Sequence, residues 1–155
     1  MQLLHNVAKF THKKEHLKSI YTTYIRPVLE QSSVVWHSSL TLENAYDLER
    51  VQKAAVRLIM GAKHTGYENS LSELNLTKLS ERRRHLCLTF AKRTVINQKM
   101  KNMFPKRKEI RQQARRHTEK YIVNKARTER LKNSSIIYMQ RLLNKDYKQK
   151  SCKEA

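Results

Sequence analysis

Only two glycines and two prolines occur in 155 residues. A turn-rich β protein needs many of both, because tight hairpins require positive or preset φ angles. Their scarcity excludes that class and points to helix. Cysteine is equally scarce: Cys87 and Cys152 stand far apart and form no Cys-x-x-Cys pair, so neither a disulfide framework nor a zinc knuckle is encoded. Aspartate is reduced to Asp47 and Asp146, neither in an acidic cluster, and the glutamates are scattered among basic side chains. Two-metal phosphoryl transfer needs carboxylates converging on ions about 4 Å apart, and nothing here supplies them. A Gly-rich phosphate loop with its lysine is missing too. No apolar run approaches the roughly 20 residues that span a bilayer. The first residues, Met1-Gln2-Leu3-Leu4-His5-Asn6-Val7, lack a signal core and a small-residue cleavage site. These absences predict a soluble intracellular chain, nuclear or in a cytoplasmic ribonucleoprotein, with no membrane partner, no cofactor, no metal and no active site.

What is present is positive charge. Thirty-three Lys and Arg against 13 Asp and Glu leave a formal net charge of +20. Self-repulsion of that size opposes compaction, and its usual explanation is a polyanionic partner: each cation that neutralises a phosphate releases condensed counterions. RNA, DNA or an RNA–DNA duplex is the expected partner. Residues 1–100 carry 16 basic and 8 acidic side chains, and residues 101–155 carry 17 and 5. Most regular hydrophobic spacing lies before Met100. The expected layout is a basic N-terminal segment over 1–16, a helical region over 17–100, and a basic tail over 101–155 with short ordered patches. The fold class is mostly α, a small helical bundle with a partly disordered tail.

Along the chain, Leu17, Ile20, Tyr21, Tyr24, Val28 and Leu29 keep three- and four-residue spacing, one face of a helix. Pro27 removes a donor and crowds the preceding turn, which predicts a kink or a break there. Thr41 caps the next helix, Glu43 sits in its first turn, and Leu48, Val51, Ala55, Leu58 and Ile59 form its predicted stripe up to Gly61. A short helix around Tyr67–Leu74 follows. Thr77 then caps a longer one with the face Leu79, Leu86, Cys87, Phe90 and Val95. Beyond Pro105, Tyr121-Ile122-Val123 reads as a short strand and Ile136 to Leu143 as a short helix. Each helix has a single apolar stripe, so the helices pack on each other or on a further body.

Individual residues allow two readings. His12 and His16, four apart, share a helix face, but a zinc site needs a third ligand and none is in view; two exposed histidines is the favoured reading. Cys87 has Arg83 and Arg84 nearby, which lower a thiol pKa, yet its apolar face favours a packed core thiol. Trp36 beside Val34-Val35 reads as a core anchor, with base stacking as the alternative. Three arginines, Arg82-Arg83-Arg84, fan over about 200° of a helix and cannot all face one partner. They grip phosphate, or one fixes the packing through an ion pair, with Glu49 or Glu73 as partner. The candidate phosphate contacts are Arg26, Arg50, Lys53, Arg57, Arg82, Arg83, Arg84, Lys92, Arg93, Lys106, Arg107, Lys108, Arg115 and Arg116. The candidate packing residues are Trp36, Leu48, Val51, Leu58, Leu86 and Phe90.

Particular strings then carry a resemblance. They are Ile20-Tyr21-x-x-Tyr24-Ile25-Arg26-Pro27-Val28-Leu29-Glu30 with Val35-Trp36-His37, and Leu40-Thr41 with Leu48-Glu49-Arg50-Val51-Gln52-Lys53-Ala54-Ala55. Tyr67, Leu74-x-Leu76-x-x-Leu79, Arg82-Arg83, Leu86 and Phe90-Ala91-Lys92 follow. Tyr121, Arg127-Thr128, Arg130, Ser134-Ser135 and Leu142-Leu143-Asn144 come last. In this order they resemble the region beyond the palm in reverse transcriptases of non-LTR (LINE-type, jockey-like) retrotransposons. The likeness runs from about Leu17 to Asn144, with Gln31-Ser32 where the family usually has Tyr-Ala. It implies thumb and post-thumb helices that hold primer–template duplex by its backbone, packed in the parent enzyme on fingers and palm. The palm's catalytic aspartates are not in this chain, so the resemblance implies a non-catalytic fragment; the start at Met1 suggests a truncated copy. A self-standing basic DNA- or RNA-binding protein, with its recognition helix after Thr77, is the competing reading, and an orphan fragment without function is a third.

Overall fold

The computed structural model describes residues 1–11, 13–106 and 119–151. They form a mostly helical chain; among them the only β pairing is one antiparallel bridge between Lys106 and Tyr121. The helices divide into two compact units, Met1–Ser32 with Leu40–Arg83, and Ser33–Ser39 with Arg84–Ala155.

The first unit begins with α1 (Gln2–Ala8) and α2 (Lys14–Ile20). A π-turn (Tyr21–Ile25) leads directly into α3 (Arg26–Glu30). The kink or break expected at Pro27 is therefore a widened turn ahead of it, with the helix continuing through. Arg26 N–H bonds back to Tyr21 C=O, five residues away. Pro27 then falls in the first turn of α3, where the missing N–H costs no intrahelical bond. A π-turn is one of the few devices that bend a helix without stopping it.

The main helix of this unit, α5 (Leu42–Met60), follows α4 (Ser33–Trp36) in the chain and starts as the sequence predicts. The Thr41 hydroxyl accepts from Asn44 N–H at 3.2 Å, and Gly61 ends the helix at φ 54°, a region that favours glycine. Its buried line is Gln52, Ala55, Val56, Ile59 and Met60. This is the predicted stripe turned by about one residue, so Leu48, Val51 and Leu58 are half-buried at its edge. The rotation has a polar cause. Gln52, which hydropathy assigns to solvent, is 1% exposed.

Gln52 joins four segments. Its Oε1 accepts from Tyr21 O–H at 2.7 Å. Its Nε2 donates to the Tyr67 hydroxyl at 3.0 Å and to Thr77 C=O at 2.9 Å. Tyr67 O–H in turn donates to Glu49 Oε1, which also accepts from Leu79 N–H at 3.4 Å. The network ties the π-turn, α5, α6 (Tyr67–Glu73) and the start of α7 (Leu79–Ile96). Around it pack Leu4, Leu17, Ala55, Val56, Ile59, Met60, Leu71, Leu74 and Leu76. Leu4, within the segment read as basic and N-terminal, is fully buried.

The second unit has its own core of Cys87, Ala91, Phe104, Tyr121, Met139, Leu142 and Leu143. Cys87 is a buried thiol, in line with the packing reading. The terminal helix is longer than the Ile136–Leu143 patch. After α8 (Glu129–Lys132), α9 runs from Ser135 to Ser151. Tyr121-Ile122-Val123 makes one bridge instead of a strand, because helix amides replace a neighbouring strand. Asn144 Oδ1 accepts from Tyr121 N–H at 2.8 Å and Asn144 Nδ2 donates to Tyr121 C=O at 2.9 Å. One turn earlier, Gln140 accepts from Asn124 N–H at 3.0 Å and donates to Met103 C=O at 2.9 Å. Irregular backbone is thus satisfied by two fully or nearly buried amides.

Two tests follow from Gln52. Removing its amide strands the Tyr21 phenol and the Thr77 carbonyl and leaves Tyr67 with Glu49 alone, so Gln52→Leu is expected to destabilise by about 3 kcal/mol in urea unfolding. With Tyr21→Phe it should couple by about 1 kcal/mol; simple additivity would contradict the network. Burial raises the Tyr21 phenol above its ordinary value of 10.0, and burial together with the Glu49 hydrogen bond raises Tyr67. A group raised in the folded state contributes stability that is fully present below its unfolded pKa and is lost above it. Stability is therefore predicted to fall above about pH 10, with part of the phenolate absorbance developing only on unfolding.

Candidate nucleic-acid interface

A surface for phosphate needs exposed cations that are not already held by internal carboxylates. The arginine triplet satisfies this only in part. Arg82 pairs with Glu30, whose side chain is 10% exposed. Arg83 is 0% exposed and lies on the buried side of α7. Only Arg84 is exposed. Two of the three sharpest sequence candidates are therefore turned inward, and the partner of Arg82 is Glu30 where Glu49 or Glu73 was expected. The buried positions of α7 are Leu79, Arg83, Cys87, Ala91 and Thr94. That line leaves Leu86 half-buried and Phe90 40% exposed, which corrects Phe90 as a core residue. A long guanidinium stem, with its apolar methylenes, fills a position that periodicity assigns to a hydrophobe.

The remaining candidates sort by exposure and pairing. Arg26 is half-buried. Lys92 pairs with Asp146 at 2.9 Å. Lys106 is half-buried beside the bridge to Tyr121. Arg93 is exposed. Arg107, Lys108, Arg115 and Arg116 lie outside the described residues, as does His12. Trp36 is half-buried at the end of α4.

Three candidates fall together in the first unit. On α5, Arg50, Lys53 and Arg57 follow Tyr46 at intervals of four, three and four residues. At 3.6 residues per turn all four lie within an arc of about 60°, spread over about 16 Å of helix. Arg57 is exposed, and Arg50 pairs with Asp47 at 3.0 Å. That pair is 65% and 55% exposed, so it contributes little and releases readily. Tyr46 is 59% exposed, an aromatic on a basic line that the sequence reading passed over.

Next to this line is an open groove of about 290 Å³ lined by Ala45, Tyr46, Glu49, Lys53, Tyr67, Glu68, Lys78 and Ser80. Lys53 Nζ stands 5.1 Å from the Tyr46 ring centroid and 5.4 Å from that of Tyr67. Lys78 pairs with Glu68 at 2.7 Å, and that hydrogen bond raises the ammonium above its usual range.

The second unit carries a stripe that sequence reasoning missed. Arg141, Lys145 and Lys148 are all exposed on α9 at four- and three-residue spacing, one face of the helix. The spacing is legible once Gln140 and Asn144 are known to face inward. Lys120 stands nearby, 4.9 Å from the Tyr147 centroid.

Among the described residues no group of three or more His, Cys, Asp or Glu converges, and no helix is long and apolar enough to cross a membrane. Comparison with known proteins yields no matching family model, curated sequence or solved structure.

The divided triplet is testable. Arg83→Ala is expected to lower stability by about 3 kcal/mol, because it empties a buried site, whereas Arg84→Ala stays within about 0.5 kcal/mol. Chemical denaturation of the two variants measures the contrast. Equal losses would contradict the different environments of the two side chains.

Proposed function

We propose that the chain is a non-catalytic C-terminal region of a non-LTR retrotransposon reverse transcriptase, and that it binds nucleic acid through the sugar–phosphate backbone without reading sequence. The observation that carries the binding claim is the charge balance. Even if every carboxylate took one cation, an excess of +20 would remain for an external polyanion. The α5 line and the α9 stripe give that excess two ordered surfaces. Neither contains an Asn or Gln to read adenine, and their Arg and Lys side chains are assigned to phosphate.

Support for the parentage comes from how the resembling strings meet. Tyr21, Glu49, Gln52, Tyr67 and Leu79 come from separate strings and form one hydrogen-bonded network. Glu30 pairs with Arg82, and Tyr121 with Asn144, again across strings. Residues that need each other physically have a reason to occur together and in order. In the parent enzyme the polymerase centre would belong to the palm, so this chain contributes grip and no turnover. The competing reading, a recognition helix after Thr77, is disfavoured because Arg82 and Arg83 are engaged internally.

The test is a salt titration of binding to an RNA–DNA duplex and to duplexes of unrelated sequence. Log K against log salt is expected to fall steeply, with a slope of about −0.9 per phosphate neutralised, and to the same extent for each sequence. Arg57→Ala should reduce that slope by about 1. Binding that is absent, or indifferent to salt, overturns the proposal.

A further inference from the structure

We infer that the groove beside α5 takes one unpaired nucleobase, so that the chain prefers single-stranded nucleic acid or a frayed end to a fully paired duplex. The inference rests on the nucleic-acid reading above and deepens it by naming the form of the ligand. It is carried by the groove itself, whose chemistry differs from that of the basic line beside it.

The groove offers two aromatic faces. A cation–π contact places an ammonium over the face of a ring, and Lys53 Nζ is within 5.4 Å of both the Tyr46 and the Tyr67 centroids. Both faces therefore turn toward the same space. Its volume, about 290 Å³, lies near the lower end of ligand pockets, which suits one planar ring system better than a base pair. Glu49 and Glu68 line the same space. Carboxylates repel a phosphate but accept from the amino edge of a base. Anion and base are thereby sorted: phosphates run along Arg50, Lys53 and Arg57, and the base turns inward. Lys53 lies at the junction, and on binding its ammonium exchanges the two rings for a phosphate. Lys53 is half-buried, and what it gives up at the two rings is offset by a phosphate contact together with base–aromatic stacking, so the exchange runs toward the nucleic acid. A paired base cannot make this turn without unstacking, which is the origin of the preference.

The experiment uses the full chain and three fluorescent probes: a single-stranded RNA, a single-stranded DNA of the same sequence, and the corresponding duplex. A single-strand preference in either RNA or DNA is expected, since every base has a π-face. Tyr46→Ala should weaken single-strand binding about tenfold and leave duplex binding within about twofold. Tyr46→Phe, which keeps the ring, should restore it. Tyr46 is 59% exposed, and circular dichroism of each variant verifies that the helices persist. Equal affinity for single strand and duplex, or a Tyr46→Ala variant that weakens both alike, overturns this inference while leaving backbone binding in place. Loss of all binding by the unaltered chain instead overturns the broader reading.

Discussion

The first unit depends on a glutamine in a place where the hydrophobic pattern has no room for one. Gln52 is buried on α5 and uses both ends of its amide, accepting from Tyr21 and donating to Tyr67 and Thr77. A buried amide with its hydrogen bonds made is tolerated, whereas one left unpaired is costly, so each partner's position constrains the others. The π-turn that carries Tyr21, the placement of α6 and the entry into α7 all answer to that constraint. Apolar packing supplies the driving force, but Leu, Val and Ile could pack in several registers. The amide selects one.

Selection of a register has a consequence for the surface. With Gln52, Ala55, Val56, Ile59 and Met60 inward, a flank of α5 presents Tyr46, Arg50, Lys53 and Arg57 in one line, with Lys53 half-buried at its inner side. Tyr67 belongs to both systems, hydrogen-bonded within the network and facing Lys53 in the groove. The second unit repeats the logic. Gln140 and Asn144 turn inward to satisfy loop backbone, and the exposed side of α9 is left to Arg141, Lys145 and Lys148. In both units a buried amide sets which way a helix turns its cations.

That logic also explains what was readable beforehand. Helix content followed from the scarcity of glycine and proline, and the limits of α5 from Thr41 and Gly61, because caps act locally. Stripes placed by hydropathy were displaced wherever a polar side chain was buried by partners distant in sequence. Gln52 is such a case, Arg83 is a second buried polar side chain on a predicted stripe, and the displaced Leu48, Val51 and Phe90 accompany them. Tyr121-Ile122-Val123 was legible as an ordered patch but not as backbone held by an amide, since Asn144 lies 23 residues away on α9. Among the binding candidates, Arg50, Lys53 and Arg57 were named from charge, whereas Tyr46 and the α9 stripe required knowing the buried faces first.

Buried amides fix the registers of α5 and α9, and under the proposed function the cations so presented meet a phosphate backbone. Side-chain NMR of the labelled chain during titration with nucleic acid addresses this most directly. The account predicts that the guanidinium signals of Arg50, Arg57 and Arg141 shift while the Gln52 and Asn144 amide protons keep their positions. Shifts concentrated at Gln52 and Asn144, or no guanidinium response at all, would contradict it.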